Sequence, residues 1–252
     1  MCGNTKIGVF DSGIGGATVL KEIIKILPNQ EYIYYSDSKN NPYGDKTDRE
    51  ILEICDKITK YLLKEKCTII VIACNTASAK SVNFLREKYK NIPFIAIEPA
   101  YKMVYDYAYE DPTLIMATKG TMESEKFNLL YEKYNNNKTY LLPCVGLADI
   151  IENGDDKEIK KYLNDNIKKY KGIVKNVVLG CTHYPLIQKQ IKEVLGDVNF
   201  FNGAEKVAEH LKKTMEKNGN DLNKTQTIKF IDSQGLESKK QRFYEIIEEK
   251  NC

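Results

Sequence analysis

The chain of 252 residues contains no tryptophan, two histidines (His183 and His210) and three arginines (Arg49, Arg86 and Arg242). With 38 Lys plus Arg against 35 Asp plus Glu, the formal net charge is only +3. That balance leaves no basic field for phosphate backbones, and no nucleic-acid partner is expected. No apolar run approaches the roughly 18 residues of a membrane span, so no membrane partner is expected. The first strand-like run begins at Ile7, which leaves no room for a signal peptide. Cysteines stand at 2, 55, 67, 74, 144, 181 and 252, an odd number without tight spacing. In a chain this long that pattern reads as free thiols in a reducing cytoplasm rather than a disulfide framework. No His-Glu-x-x-His or Cys-x-x-Cys occurs, and no metal site is expected.

What is present is an alternation. Short β-branched runs over 7–10, 32–35, 69–73, 94–97, 114–117, 140–142, 177–179, 198–200 and 227–231 read as strands. Longer Lys/Glu-rich stretches of helical period over 17–26, 49–64, 79–90, 123–134, 157–170, 186–194, 204–218 and 236–250 separate or follow them. Alternating strands and helices predict an α/β fold with mainly parallel sheets. Three strand ends also recur at one offset: Asp11 and Thr118, Asp37 and Cys144, and Cys74 and Cys181 each lie 107 residues apart. A repeat of that length predicts two pseudo-symmetric α/β domains, 1–98 plus 206–252 and 99–205. Ligands of such sheets bind at the carboxyl ends of the strands, so the active site is expected in the cleft between the domains.

Five segments at those strand ends carry chemistry. Asp11-Ser12-Gly13-Ile14-Gly15-Gly16 joins a strand to a helix, either as an anion cradle of backbone N–H groups or as a tight turn in which Asp11 or Ser12 caps the helix. Cys74-Asn75-Thr76-Ala77-Ser78 brings a thiol, an amide and two hydroxyls to a strand–helix junction. There a helix dipole can depress a thiol pKa from about 8.5, although a lone cysteine also serves as a small core residue. Cys181-Thr182-His183-Tyr184-Pro185 repeats the arrangement, with His183 on the same side of an extended chain as the thiol or acting as a helix cap. Two thiols across one cleft suit inversion of a stereocentre, one removing a proton from a carbon and the other delivering one to the opposite face. Asp11 and Glu152 tune such thiols, hold a substrate ammonium, or face solvent. Asn41-Pro42-Tyr43-Gly44 is a turn whose Tyr43 offers a lid or a donor. Thr118-Lys119-Gly120-Thr121 is a helix cap or a second anion loop, and Thr118 is the offset partner of Asp11. A cysteine hydrolase built on Cys181 and His183, and a catalytically silent binder of anions, are the competing readings.

The segments 10–16, 42–44, 73–78 and 179–185 closely resemble the signature blocks of the bacterial glutamate racemases, of the aspartate/glutamate racemase family. The order and spacing agree over nearly the whole chain, and the His after Cys181-Thr182 is similar to the glutamate rather than the aspartate enzymes. The resemblance implies a cofactor-independent, metal-free two-base interconversion of L- and D-glutamate that supplies peptidoglycan synthesis, in a homodimer. It implies Cys74 as the base for D-glutamate and Cys181 for L-glutamate, assisted by Asp11, Glu152 and His183. It further implies substrate contacts from Asp11, Ser12, Tyr43, Gly44, Asn75, Thr76, Thr182 and His183. Thr118 and Thr121 join them on the strength of the repeat.

Overall fold

The computed structural model describes residues 5–249. Cys2, Cys252 and Lys250, the last residue of the final expected helix, lie outside them. Nine strands occur among the described residues: β1 Lys6–Asp11, β2 Glu31–Ser36, β3 Ile69–Ile72, β4 Phe94–Ala96, β5 Thr113–Ala117, β6 Thr139–Pro143, β7 Asn176–Gly180, β8 Asn199–Phe201 and β9 Thr227–Asp232. They form two sheets, ordered β4-β3-β1-β2-β9 and β6-β5-β7-β8, and every pairing is parallel. Read from its other end the second sheet runs β8-β7-β5-β6, the order of β4-β3-β1-β2, so the repeat in the sequence is a repeat in topology. β9 has no counterpart in the second sheet; it lies parallel to β2 at the edge of the first.

Helices cover both faces of each sheet. They are α1 Ala17–Ile26, α2 Asp48–Lys64, α3 Asn75–Lys88, α4 Tyr101–Ala108, α5 Lys119–Met122, α6 Glu125–Tyr134, α7 Leu147–Asn153, α8 Asp156–Ile167, α9 Gln188–Leu195, α10 Ala204–Lys217 and α11 Glu237–Glu248. A strand buried on both sides sends alternate side chains to opposite faces. In β3 this puts Ile69, Val71 and Ala73 into the core under α1, α10 and α11, and Ile70, Ile72 and Cys74 into the core under α2 and α3. In β7 the same alternation sends Val177, Leu179 and Cys181 towards α7–α9, and Val178 towards α4 and α6. Each fully buried Ile or Leu in these layers contributes about 2 kcal/mol.

Three expectations require correction. α3 begins at Asn75, four residues before the expected start at 79, so the segment after Cys74 is the first turn of a helix rather than a loop. The stretch expected as a helix from 186 opens with a 3-10 turn, Tyr184–Ile187, because Pro185 supplies no N–H to continue an α-helical ladder backwards. α4 and α7 were not expected: eight and seven residues give at most two turns of hydrophobic period.

Candidate active site

Carboxyl ends of β1, β2, β3, β5, β6 and β7 converge on one cavity, lined by Ser12, Tyr43, Gly44, Cys74, Asn75, Thr76, Thr118, Cys181 and His183, among others. Cys74 lies two residues beyond β3 and Cys181 directly follows β7, so the duplicated strands deliver both thiols to the same space. Asp11, Glu152, Thr121 and Thr182 stand one layer behind this lining. Asp11 Oδ2 accepts a hydrogen bond from Thr182 Oγ1 at 3.0 Å. Thr121 Oγ1 closes a triangle of hydroxyls with Thr76 and Thr118, the three separations being 2.8, 3.2 and 2.9 Å. His210 takes no part; it is an exposed residue of α10.

Asp11 and Glu152 do not face solvent: Asp11 is fully buried and the Glu152 side chain is 3% exposed. Their partners also decide the role of the glycine-rich turn. The Gly13 N–H donates to Asp11 Oδ1 at 3.0 Å and the Ile14 N–H to Glu152 Oε2 at 3.0 Å. The cradle holds the protein's own carboxylates, and α1 begins at Gly16 without a side-chain cap from Asp11 or Ser12. The glycines leave room for these groups. A Cβ on Gly13 would lie 2.6 Å from Glu152 Oε2, and one on Gly15 would lie 2.5 Å from His183 Nδ1.

His183 reaches its thiol by a turn rather than along an extended chain. Its backbone is right-handed helical (φ −79°, ψ −29°), which brings Nδ1 to 3.7 Å from Cys181 Sγ and Nε2 to 2.6 Å from Glu152 Oε2. Burial alone would push the imidazole pKa down. The hydrogen bonds to Cys181 and Glu152 and the Glu152 charge outweigh it and hold the pKa well above its ordinary value of 6.5. Glu152 shifts the other way: burial opposes its charge, but His183 and Lys239 draw the carboxyl down to about 2. Together the two form a buried ion pair.

Cys74 departs from expectation. Burial and the charge of Asp11 raise its thiol pKa, outweighing the Ala77 N–H and the Ser12 hydroxyl 3.7 Å away, so here the helix start does not depress it. Burial raises Asp11 as well, against the His183 charge and the bonds from Gly13 and Thr182. Tyr43 donates its hydroxyl to Asp37 Oδ2 at 2.6 Å, so its ring rather than its OH borders the cavity. Asn75 is 4% exposed, and its Oδ1 has no hydrogen-bond partner among the described residues, which leaves a buried acceptor at the site unsatisfied.

The sequence reading passed over several groups. Lys239, in the first turn of α11, bonds Glu152 Oε1. Cys144 lines the cavity as a thiol pushed by burial to about 12. Asn41 Nδ2 donates to Asp149 Oδ1 at 2.7 Å, and Lys119 borders the cavity's outer side. Cys144 carried a signal, the offset from Asp37. Lys239 carried none, since it sits in a run of charges that reads as a solvated helix face. Among the described residues no group of three or more His, Cys, Asp or Glu side chains is placed to hold a metal ion, and no helix is long and apolar enough to cross a membrane.

Comparisons with known proteins agree in one direction. A family model described as Asp/Glu/Hydantoin racemase matches residues 7–211. The glutamate racemase of Clostridium botulinum (strain Alaska E43 / Type E3) is 41% identical over 241 residues, 93% of each chain. Among solved structures, Escherichia coli glutamate racemase in complex with L-glutamate and the activator UDP-MurNAc-ala superposes with a TM-score of 0.84 at 27% identity, covering 95% of both chains. The glutamate racemase of Francisella tularensis subsp. tularensis SCHU S4 in complex with D-glutamate gives a TM-score of 0.79 at 29% identity, over 97% of this chain and 93% of that one.

Proposed function

Since the chain belongs to the Asp/Glu/hydantoin racemase family and is an amino-acid racemase, we propose that it interconverts L-glutamate and D-glutamate by proton transfer between Cys74 and Cys181. The observation that carries this reading is the pair of thiols, supplied by equivalent strands of two sheets, on one cavity. The named substrate of the relatives supplies the amino acid.

In the L-to-D direction Cys181 acts as base. His183 Nδ1 accepts the thiol proton, and the imidazolium is held through Nε2 by ionised Glu152. The Cα–H bond of L-glutamate breaks, an S–H bond forms at Cys181, and the electron pair stays on the α-carbon and its carboxylate. Cys74, kept protonated by burial and by Asp11, gives its proton to the opposite face, which completes D-glutamate and leaves a thiolate at Cys74. The D-to-L direction reverses these steps, with Asp11 assisting Cys74. Free N–H groups in the first turn of α3, at Asn75 and Thr76, with the hydroxyls of Ser12, Thr76 and Thr118, hold the carboxylates without arginine, while Thr121 supports the Thr76 and Thr118 hydroxyls and Thr182 supports Asp11 from behind the lining. Asn75 Oδ1 accepts from the substrate ammonium. Tyr43 and Gly44 close over the substrate, His183 contacts it near the thiols, and Asp11 acts from behind the lining. The same proposal takes the reaction to be cofactor-independent and to supply peptidoglycan synthesis. It also places a homodimer in the cytoplasm and divides the chain as 1–98 plus 206–252 and 99–205.

Proton NMR in heavy water, with each enantiomer supplied separately and a reducing agent present, tests the reading. Both α-proton signals should disappear and the optical rotation decay to zero. Cys74→Ser and Cys181→Ser should remain folded and lose racemisation by at least about a hundredfold; full activity in either would overturn the two-base assignment. Faster turnover of aspartate would move the substrate. One further arrangement favours a second reading: Cys181, His183 and Glu152 line up as nucleophile, base and orienter. That reading leaves Cys74 idle and predicts an acyl-enzyme, which mass spectrometry after a rapid quench would detect.

A further inference from the structure

Glu152 is bound from three sides. Oε2 accepts from His183 Nε2 at 2.6 Å, the Ile14 N–H sits 3.0 Å from Oε2 and 3.3 Å from Oε1, and Oε1 accepts from the Lys239 ammonium. His183 and Glu152 come from the second sheet's half of the molecule, whereas Ile14 and Lys239 come from the first. Lys239 lies seven residues beyond Asp232, the carboxyl end of β9, the one strand the repeat does not duplicate. The extra strand therefore brings to the site a cation with no equivalent in the other half.

We propose that Lys239 is a positioning residue: by holding Oε1 it fixes the rotation of the Glu152 carboxylate, so that Oε2 meets His183 and the imidazole is aligned on the Cys181 thiol. This rests on the proposed role of Cys181 and His183. A carboxylate held only by one amide could turn about its terminal bond and hand His183 either oxygen or neither, since that torsion is broad. Lys239 is 20% exposed and Glu152 3%, so the bond is sheltered from the screening that weakens surface pairs. The ionisable groups facing His183 are Glu152 and Asp149 from α7, Cys181 from its own loop and Asp11 from the end of β1.

The test uses the fact that the chain has two histidines, His183 and His210. NMR titration of the imidazole C–H signals, assigned with His210→Asn, follows His183 directly in Lys239→Met and Lys239→Arg. If Lys239 positions Glu152, its loss slackens the Glu152–His183 bond and the His183 midpoint falls by about one unit. Lys239→Arg restores it, and Lys239→Met adds nothing in a Glu152→Gln background. If Lys239 is merely a nearby cation, its removal raises the midpoint, and that rise, or no change, overturns the proposal. Failure of Lys239→Arg to rescue would do the same. The kcat of Lys239→Met should fall about tenfold or more with little change in KM. A lowered midpoint with unchanged kcat would keep the hold of Lys239 on His183 and instead refute the catalytic role of the Cys181 side.

Discussion

At the residue scale the site is organised around buried charges that need neighbours of one size. Gly15 is the sharpest case, because a methyl group there would sit 2.5 Å from His183 Nδ1 and 2.7 Å from Cε1. Packed cores do not absorb such an overlap without moving side chains, at a cost of about 1–3 kcal/mol. Gly15→Ala is therefore expected to fold with reduced stability in a denaturant melt. Displacing the imidazole from Cys181 should lower kcat by about a hundredfold, the penalty for misplacing a reacting group by roughly an ångström. Because the hydrogen bond to Cys181 helps hold the His183 pKa up, its loss should also shift the pH profile.

At the element scale the repeat made much of the fold legible. Strand positions follow from β-branched runs, and the offset of 107 residues between Cys74 and Cys181 places the thiols on equivalent strands. Glu152 was harder to place because it stands on α7, a helix of seven residues between two left-handed glycines, Gly146 and Gly154, too short to leave a period. The start of α3 was missed because Asn75, Thr76 and Ser78 are poor helix formers, tolerated here because the first turn serves the cavity rather than the helix. Lys239 was invisible because long-range contacts leave no local pattern. By contrast α2 announces its own start. The Thr47 side chain accepts from the Glu50 N–H while the Glu50 side chain accepts from the Thr47 N–H. Thr47→Ala should cost about 1 kcal/mol and lower the melting temperature by about 2–4 °C, with turnover unchanged, since Thr47 lies outside the cavity lining.

At the scale of the whole molecule, polar links such as Asn41 to Asp149, Thr76 to Thr118 and Thr182 to Asp11 join the two halves of the cleft, and Glu152 adds two that carry its charge, to Ile14 and Lys239. Global stability should therefore follow the protonation of this centre. A carboxyl held at about 2 in the folded protein and near 4.5 when unfolded contributes stability that is present above 4.5 and lost as the pH falls towards 2. A histidine raised well above 6.5 contributes below 6.5 and loses that contribution as the pH rises through its folded value. Both contributions are complete only between about 4.5 and 6.5. Urea unfolding across pH should show Glu152→Gln losing most stability inside that window and converging on the parent protein only below about pH 2.

The two halves share a strand order but not their loops: where the first has Asp11, Asn75 and Thr76, the second has Thr118, Thr182 and His183. A cleft with perfect twofold symmetry could not tell the two ends of a dicarboxylic amino acid apart. It would accept the molecule head-first or tail-first with equal ease, the two poses differing only in which thiol meets which face of the α-carbon. On the proposed two-thiol reading, divergence of the loops gives the cleft a polarity, so that one orientation of the substrate is favoured and each thiol is assigned its own face of the α-carbon.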